Sequence, residues 1–414
     1  MPGLLLICCG RNFLWYNSKD MTALRRAIRR ILVRVEPLPP GLYARKTPPD
    51  SPLPYRLHLR LEADGRGVLL INAATILHLN PTAAEYAYHL VQGTRAEEVA
   101  SLIASRYRVT REQAARDYAE FVDRVETLYL DPERAPVSVQ ELERQTPYSG
   151  PLSAPYRLDC ALTYRMSIDA FAVPAEPAGG ELATGEWQKV LDKAWGVGIP
   201  HVVFTGGEPT IRPDLPTLLA HAEHLGMVTG LVSDGARLAE SAYLDELLQA
   251  GLDHVTVVLG SHDRSRTPSA RDWDVLVGII YWAEVLEARL HTVAHLTLTL
   301  ENVAEIPVWL DRLAETGVHA VSLTASHPSL ARELVSARDR AAAAGLPLNW
   351  DLAVPSTGLD PRSLEGPDET VASGAGRAWL YVEPDGDVLP AQGASQVLGN
   401  MLRDPWNQIW DSLP

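Results

Sequence analysis

Apolar and polar positions change period twice along this chain of 414 residues. From 55 to 64 the segment YRLHLRLEAD alternates at period two, and GVLLIN at 67–72 follows a glycine turn. Both read as members of a run of three strands. The period then becomes helical in TAAEYAYHLVQG (82–93), RAEEVASLIASRY (95–107) and TREQAARDYAEFVDRVETLYL (110–130). Beyond 158, short apolar runs near 158–164, 201–205, 227–233, 253–259, 291–300, 318–323 and 347–352 alternate with helical stretches. One of these, GEWQKVLDKAWGVG (185–198), has Thr184 before it as a cap and glycine at its end. Such alternation predicts an α/β unit with a parallel sheet and crossover helices. Near the end, Trp379 to Val382, a Pro-Asp-Gly turn and Val388-Leu389 predict a hairpin. Turn-rich stretches at 131–157 and 355–377 divide these patterns. The expected organisation is an N-terminal extension (1–30), a small α+β domain (31–130), a linker (131–157), the α/β unit (158–354) and a C-terminal extension (355–414).

Composition narrows the function classes. A hydrophobic content of 46% and a charged content of 21% are those of an ordinary globular protein. A formal net charge of −15 argues against nucleic acid as the main partner. Residues 24–34 depart from that balance: Arg25, Arg26, Arg29, Arg30 and Arg34 flank Leu24, Ala27, Ile28, Ile31 and Leu32 at helical spacing, which reads as a solvated terminal helix or a basic amphipathic one. Leu4 to Ile7 is too short to span a bilayer and lacks a preceding basic residue. The expectation is a cytoplasmic protein with no membrane span, and Met21 is an alternative start. Cysteine usage agrees, since Cys8, Cys9 and Cys160 form no disulfide framework.

The densest candidate chemistry is HVVFTGGEPTIRPDL at 201–215. Gly206 and Gly207 allow positive φ and close approach, Glu208 offers an acceptor, and Pro209 fixes the turn. In α/β sheets of either the barrel or the doubly wound kind, ligands lie at the carboxyl ends of the strands. Ser233-Asp234-Gly235 and Gly260-Ser261-His262-Asp263 occupy similar ends. The His262-Asp263 pair lacks a nucleophile beside it.

The GGEP loop, with LDCALTYRMSIDAFAVP (158–174) upstream, resembles that of radical S-adenosylmethionine (radical SAM) enzymes. The resemblance implies a partial (βα)6 TIM-like barrel in which Gly206, Gly207, Glu208 and Pro209 hold the amino group of S-adenosylmethionine, while Ser233 and Asp234 match a ribose-contacting turn with Asp for Asn. It also implies a Cys-x3-Cys-x2-Cys loop whose thiolates bind a [4Fe-4S] cluster. Here those places hold Met166, Ala170 and Val173. A thioether is a weak neutral donor, and alanine and valine donate nothing. Segment 374–410, with Leu398-Gly399-Asn400 and Ile409-Trp410, resembles the SPASM or twitch extension of radical SAM peptide maturases; Ser373 and Ala391 stand where it carries cluster cysteines. Residues 31–130 resemble the winged-helix-like PqqD family, peptide chaperones of pyrroloquinoline quinone assembly, through Gly67 to Asn72, Leu79-Asn80, Gly93-Thr94, Glu97 to Val99 and Tyr118 to Phe121. That family takes an extended leader peptide as an added strand lying against the last helix, which implies contacts at Leu69, Leu70, Tyr118 and Phe121.

The expected function is therefore a radical-SAM-like protein of peptide maturation without a cluster, catalytically silent, that captures a precursor peptide for an active maturase. Two alternatives stand beside it: a S-adenosylmethionine or nucleotide binder doing polar chemistry, and an active radical enzyme with unconventional ligation.

Overall fold

The computed structural model describes residues 36–47, 55–130, 152–166, 180–261, 265–349 and 374–413. The first unit opens with four antiparallel strands, β1 (Gly41–Lys46), β2 (Arg56–Leu61), β3 (Gly67–Ile71) and β4 (Thr75–Leu79), in the order β1-β2-β3-β4. Helices α1 (Pro81–Gln92), α2 (Ala96–Arg106) and α3 (Arg111–Leu130) follow. Three strands were expected and four are present. On α1, Asn80 accepts the Ala83 amide, Pro81 opens the first turn and Gly93 closes the helix at φ +68°.

Strand alternation gives the small sheet two unlike faces. Leu57, Leu59, Leu61, Leu69, Ile71 and Leu77 are buried against Ala84, Ala87, Val91, Val125 and Leu128 of the helices. The other face carries Arg56, His58 and Arg60 from β2, and it docks on the second unit. Arg56 donates to the Met227 carbonyl and pairs with Glu223 at 2.5 Å and Asp253 at 3.1 Å. His58 Nε2 lies 2.7 Å from the Gly226 carbonyl, and Arg60 donates to the carbonyls of Pro155 and Gly198. Val68, Leu70 and Ile76 complete this contact against Tyr156, Ala378 and Trp379.

The second unit places β5 (Arg157–Thr163), β6 (His201–Gly206), β7 (Val228–Ser233), β8 (His254–Val258), β9 (His291–Leu298) and β10 (Ala320–Ala325) side by side, all parallel. Their consecutive order differs from the reversing order of a doubly wound sheet. The crossovers contain α4 (Thr184–Gly196), α5 (Leu215–Leu225), α6 (Ser241–Gln249), α7 (Ala270–Val285) and α8 (Ile306–Thr316), and α9 (Ala331–Ala343) follows β10. One large core joins these helices to Leu158, Cys160, Val202, Phe204, Leu231, Val255, Leu296 and Leu323 of the sheet. Of the expected strand at 347–352, the described residues 347–349 form one bridge, Leu348 to Val321, and 350–352 lie outside the described residues. Thr184 does not cap α4: it is the first helical residue, Ala183 holds the cap position, and the Thr184 hydroxyl donates to Asp214 at 2.7 Å.

The C-terminal hairpin continues this sheet. Strand β11 (Trp379–Val382) pairs in parallel with β5, and β12 (Asp387–Leu389) and β13 (Gly399–Asn400) add antiparallel. Helix α10 (Trp406–Asp411) stacks Trp406 on Trp410, and their indoles donate to the carbonyls of Ser153 and Leu152. Ala170, Val173 and Ser373 lie outside the described residues.

Candidate functional site: the mouth of the parallel sheet

The two glycines after β6 are required by the neighbouring strand end. A Cβ on Gly206, at φ +116°, would come within 2.2 Å of the Thr163 carbonyl oxygen, and one on Gly207 within 2.3 Å of the Arg165 oxygen. This closeness lets the Gly207 amide donate to Thr163 O at 2.7 Å and the Glu208 amide to Arg165 O at 2.8 Å. Arg212, buried, adds a second tie: it donates to the carbonyls of Leu162 and Leu182 and makes a two-pronged pair with Asp214. The GGEP loop and the end of β5, up to Arg165, are thus one braced structure.

Glu208 is 1% exposed, and its carboxylate faces protein donors. Its Oε1 accepts from the Thr210 amide (3.0 Å), the Thr210 hydroxyl (2.6 Å) and the Ser233 hydroxyl (2.9 Å), while Oε2 accepts from the Asp234 amide (2.7 Å). Burial first, and then the nearby Asp234 carboxylate, raise its pKa to about 7 against these bonds. Pro209 is buried in the single 3₁₀ turn that follows. Ser233 also accepts from the Gly235 amide, and Asp234 accepts from the Ala236 amide. The structure therefore brings Gly206, Gly207, Glu208, Pro209, Ser233 and Asp234 together, with Glu208 acting as the tie between the ends of β6 and β7.

The strand end marked by Gly260-Ser261-His262-Asp263 lies at this rim, with His262 and Asp263 outside the described residues. Ser261, after β8, has a buried hydroxyl without a hydrogen-bond partner among the described residues. Arg266 stands beside it at φ +56° and donates to the Ser261 carbonyl. The buried Asn302 amide holds this backbone in place by donating to the carbonyls of Ser265, Arg266 and Thr297. Inside the sheet, His295 bonds Ser322 at 3.0 Å and Thr297 at 3.1 Å; burial, with Arg266 assisting, pushes it down to about 3, so it is neutral. The sequence placed Ser261 at a strand end, but the burial of its hydroxyl is a property of the folded chain.

The places matched to cluster ligands offer no thiolate. Met166 ends its described segment, and Ala391 sits in a turn after β12, accepting from the Ala394 amide. Cys160 points into the helix-side core, fully buried, and burial drives its thiol well above the ordinary range. Tyr164, just before Met166, is bonded instead to Glu383 at 2.5 Å and to Tyr381 at 3.2 Å, which fastens the C-terminal hairpin to the end of β5. Among the described residues no group of three His, Cys, Asp or Glu side chains is placed to hold a metal. Met166 and Ala391, the described residues at those places, carry no thiol.

In the first unit, Leu69 belongs to the sheet-helix core and Leu70 to the contact between units, because β3 is an inner strand. Tyr118 is buried beside Tyr86, and Phe121 is half-buried in the same group. None of the first three has a side chain free on the surface.

A parallel sheet with a braced GGEP loop, carrying a small β-sheet domain ahead of it, defines a radical SAM protein with a PqqD unit. The family model "Radical SAM superfamily" matches residues 160–288, and "Coenzyme PQQ synthesis protein D (PqqD)" matches 67–130. The PqqA peptide cyclase of Streptomyces rochei is 32% identical over 255 residues, covering 56% of this chain and 67% of that protein. The PqqA peptide cyclase of Xanthomonas oryzae pv. oryzae is 28% identical over 288 residues, covering 63% and 74%. The chain belongs to the radical SAM family that includes the PqqA peptide cyclases. Its fold is also that of SuiB from Streptococcus suis, at a TM-score of 0.54 and 16% identity over 86% of both chains. SuiB has been solved bound to S-adenosylmethionine (TM-score 0.52, 16% identity, 86% of both chains) and to the precursor peptide SuiA (TM-score 0.51, 15% identity, 85% of this chain and 86% of that one). Among the described residues, no helix is long and apolar enough to cross a membrane.

Proposed function

We propose that this chain is a cluster-less, catalytically silent member of its family that captures a precursor peptide through its PqqD unit, for modification by an active maturase in the cytoplasm. The observation that carries the reading is the contrast between a braced GGEP loop and the absence of thiolate donors at Met166, Ala170 and Val173. Soft anionic ligands are what hold such clusters, and methyl groups cannot replace them. Ala391 and Ser373 repeat the loss at a second site. The domain divisions of 31–130, 158–354 and 355–414 and the partial-barrel curvature belong to the same proposal.

Capture would use the outer edge of β4. Strand β1 is held toward the second unit by the Lys46–Glu223 pair, whereas β4 has no strand partner on its outer side among the described residues. An extended peptide there gains main-chain hydrogen bonds. The names of the relatives and the SuiA-bound SuiB structure support a peptide as ligand.

A second reading is favoured by the unpartnered Ser261 hydroxyl at the mouth. S-adenosylmethionine would bind there without a cluster, with Ser261, Asp234 and the GGEP backbone around it. Glu208 would shape the pocket rather than face the ligand, since its four hydrogen bonds are internal.

Two measurements test these readings. Anaerobic reconstitution with iron and sulfide, followed by metal and labile-sulfide analysis, should yield no stoichiometric cluster; a stoichiometric [4Fe-4S] product would overturn the silent assignment. Calorimetry with S-adenosylmethionine should give a saturable signal that Ser261→Ala weakens, and no heat at millimolar ligand would remove the second reading.

A further inference from the structure

Strand β2 turns three basic side chains toward the second unit, and all three, Arg56, His58 and Arg60, are buried there. His58 Nε2 lies 2.7 Å from the Gly226 carbonyl. A carbonyl only accepts, so Nε2 holds the proton of the ring and Nδ1 is the bare nitrogen of a neutral imidazole. Nδ1 is buried as well, with no hydrogen-bond partner among the described residues. The ring stands edge-on to Trp195 of α4, with centroids 6.1 Å apart.

A second proton on this ring would place an N–H at Nδ1 without an acceptor, and a positive charge between two guanidinium groups. Glu223 of α5 is the carboxylate that favours the charged ring, but it is already paired with Arg56 at 2.5 Å and with Lys46 of β1 at 2.6 Å. Asp253, before β8, pairs with Arg56 at 3.1 Å, and Glu62 with Arg60 at 3.2 Å. On β6, His201 is repelled by a charged His58, and its Nε2 lies 2.8 Å from that of His254. Burial, with Arg56 assisting and the Gly226 and Glu223 contacts opposing, holds His58 at about 4. Burial raises Asp253, so that group acts in the opposite sense.

We propose that this interface is a proton-operated joint: protonation of His58 releases the first unit from the second while each unit keeps its own core. The two cores are separate, since the large core of the second unit contains no residue of the first. Only the small cluster of Val68, Leu70, Tyr156 and Ala378, with Ile76, Leu152 and Trp379 against it, joins them by apolar contact. In the open state the imidazole returns to water and to its ordinary value near 6.5. The docked value is the lower one, so docking is fully supported above about 6.5 and its equilibrium weakens by up to about tenfold per pH unit as pH falls from there toward 4. The joint operates whether or not β4 takes a peptide.

The test is size-exclusion-coupled small-angle X-ray scattering of the full chain at pH values from about 7.5 down to about 4, with far-ultraviolet circular dichroism on the same samples. The parent should expand as pH falls below about 6 while its circular dichroism stays unchanged. His58→Gln keeps a donor for the Gly226 carbonyl and cannot be charged, so its expansion should begin at least about one pH unit lower. His58→Leu, also uncharged, takes its place should the glutamine variant not fold. Comparing parent and variant at each pH removes the shares of Asp253, His201 and His254, which both retain. Identical expansion profiles for the parent and the uncharged variant, or no expansion before the circular dichroism signal is lost, would overturn the joint.

Discussion

Replacing Glu208 by alanine should be among the most damaging single changes in the second unit, and its cost should depend on pH in an unusual direction. The variant strands the amides of Thr210 and Asp234 and the hydroxyls of Thr210 and Ser233. The hydroxyls can rotate toward other acceptors, but the amides cannot. At about 1–3 kcal/mol for each buried amide, a loss of about 3 kcal/mol is expected near pH 5. Its folded pKa is raised to about 7 from an ordinary 4.5. The folded state therefore binds the proton more tightly than the unfolded chain. Stability from this group is greatest below the unfolded value and declines as pH rises from 4.5 to about 7. The alanine variant removes that decline, so its cost should shrink by about 2–3 kcal/mol between pH 5 and pH 8. Urea unfolding followed by tryptophan fluorescence at both pH values measures this directly. A variant as stable as the parent at pH 5 would refute the brace, and an equal cost at both pH values would refute the raised pKa.

Three further outcomes follow from groups away from the mouth. His58, His254, His291 and His295 are held at about 4, 3, 4 and 3, chiefly by burial. The unfolded chain takes up protons below about 6.5 while the native one does not; each histidine should therefore cost up to about 1.4 kcal/mol per pH unit on acidification. His295→Gln should lower the proton uptake on unfolding at pH 5 by about one, read from the slope of stability against pH. Arg56→Gln leaves Glu223 with Lys46 alone, removes the Asp253 pair and strands the Met227 carbonyl, and should cost about 1–3 kcal/mol, with earlier protease cleavage between the units and partial recovery in Arg56→Lys. Native protein should leave Cys160 unlabelled by a thiol reagent until denaturant is added, whereas rapid native labelling would contradict its place in the core.

The parallel sheet was legible because each strand is a short apolar run bounded by turn residues, and the GGEP loop because glycine pairs announce close approach. The third expected strand was given no residues, and GLYARK of β1 gives little to find it by: its residues are exposed or half-buried without clean alternation. The segment at 347–352 looked like a strand by composition, and its described part, 347–349, meets β10 at Val321 in one isolated bridge. Glu208 was identifiable as important but not as a brace, since its partners Ser233 and Asp234 lie on another strand and no spacing encodes that meeting. Leu69 and Leu70 illustrate the same limit: a family motif marks conserved chemistry and packing alike, and only strand order shows that an inner strand cannot be the docking edge.

The pairing of β11 with β5 carries a consequence for synthesis. The strand that begins the parallel sheet is completed by residues 379–382, near the far end of the chain. Ala378 and Trp379 also close the contact against Val68 and Leu70 of the first unit. A nascent chain leaving the ribosome must therefore keep one side of β5 unpaired until β6 to β10 and the segment after them have emerged. Contacts of such long range slow folding and expose strand edges meanwhile. Val68 and Leu70 of the first unit and the late strand β11 close on the start of one strand, so the docking of the first unit is completed only after the parallel sheet has been made.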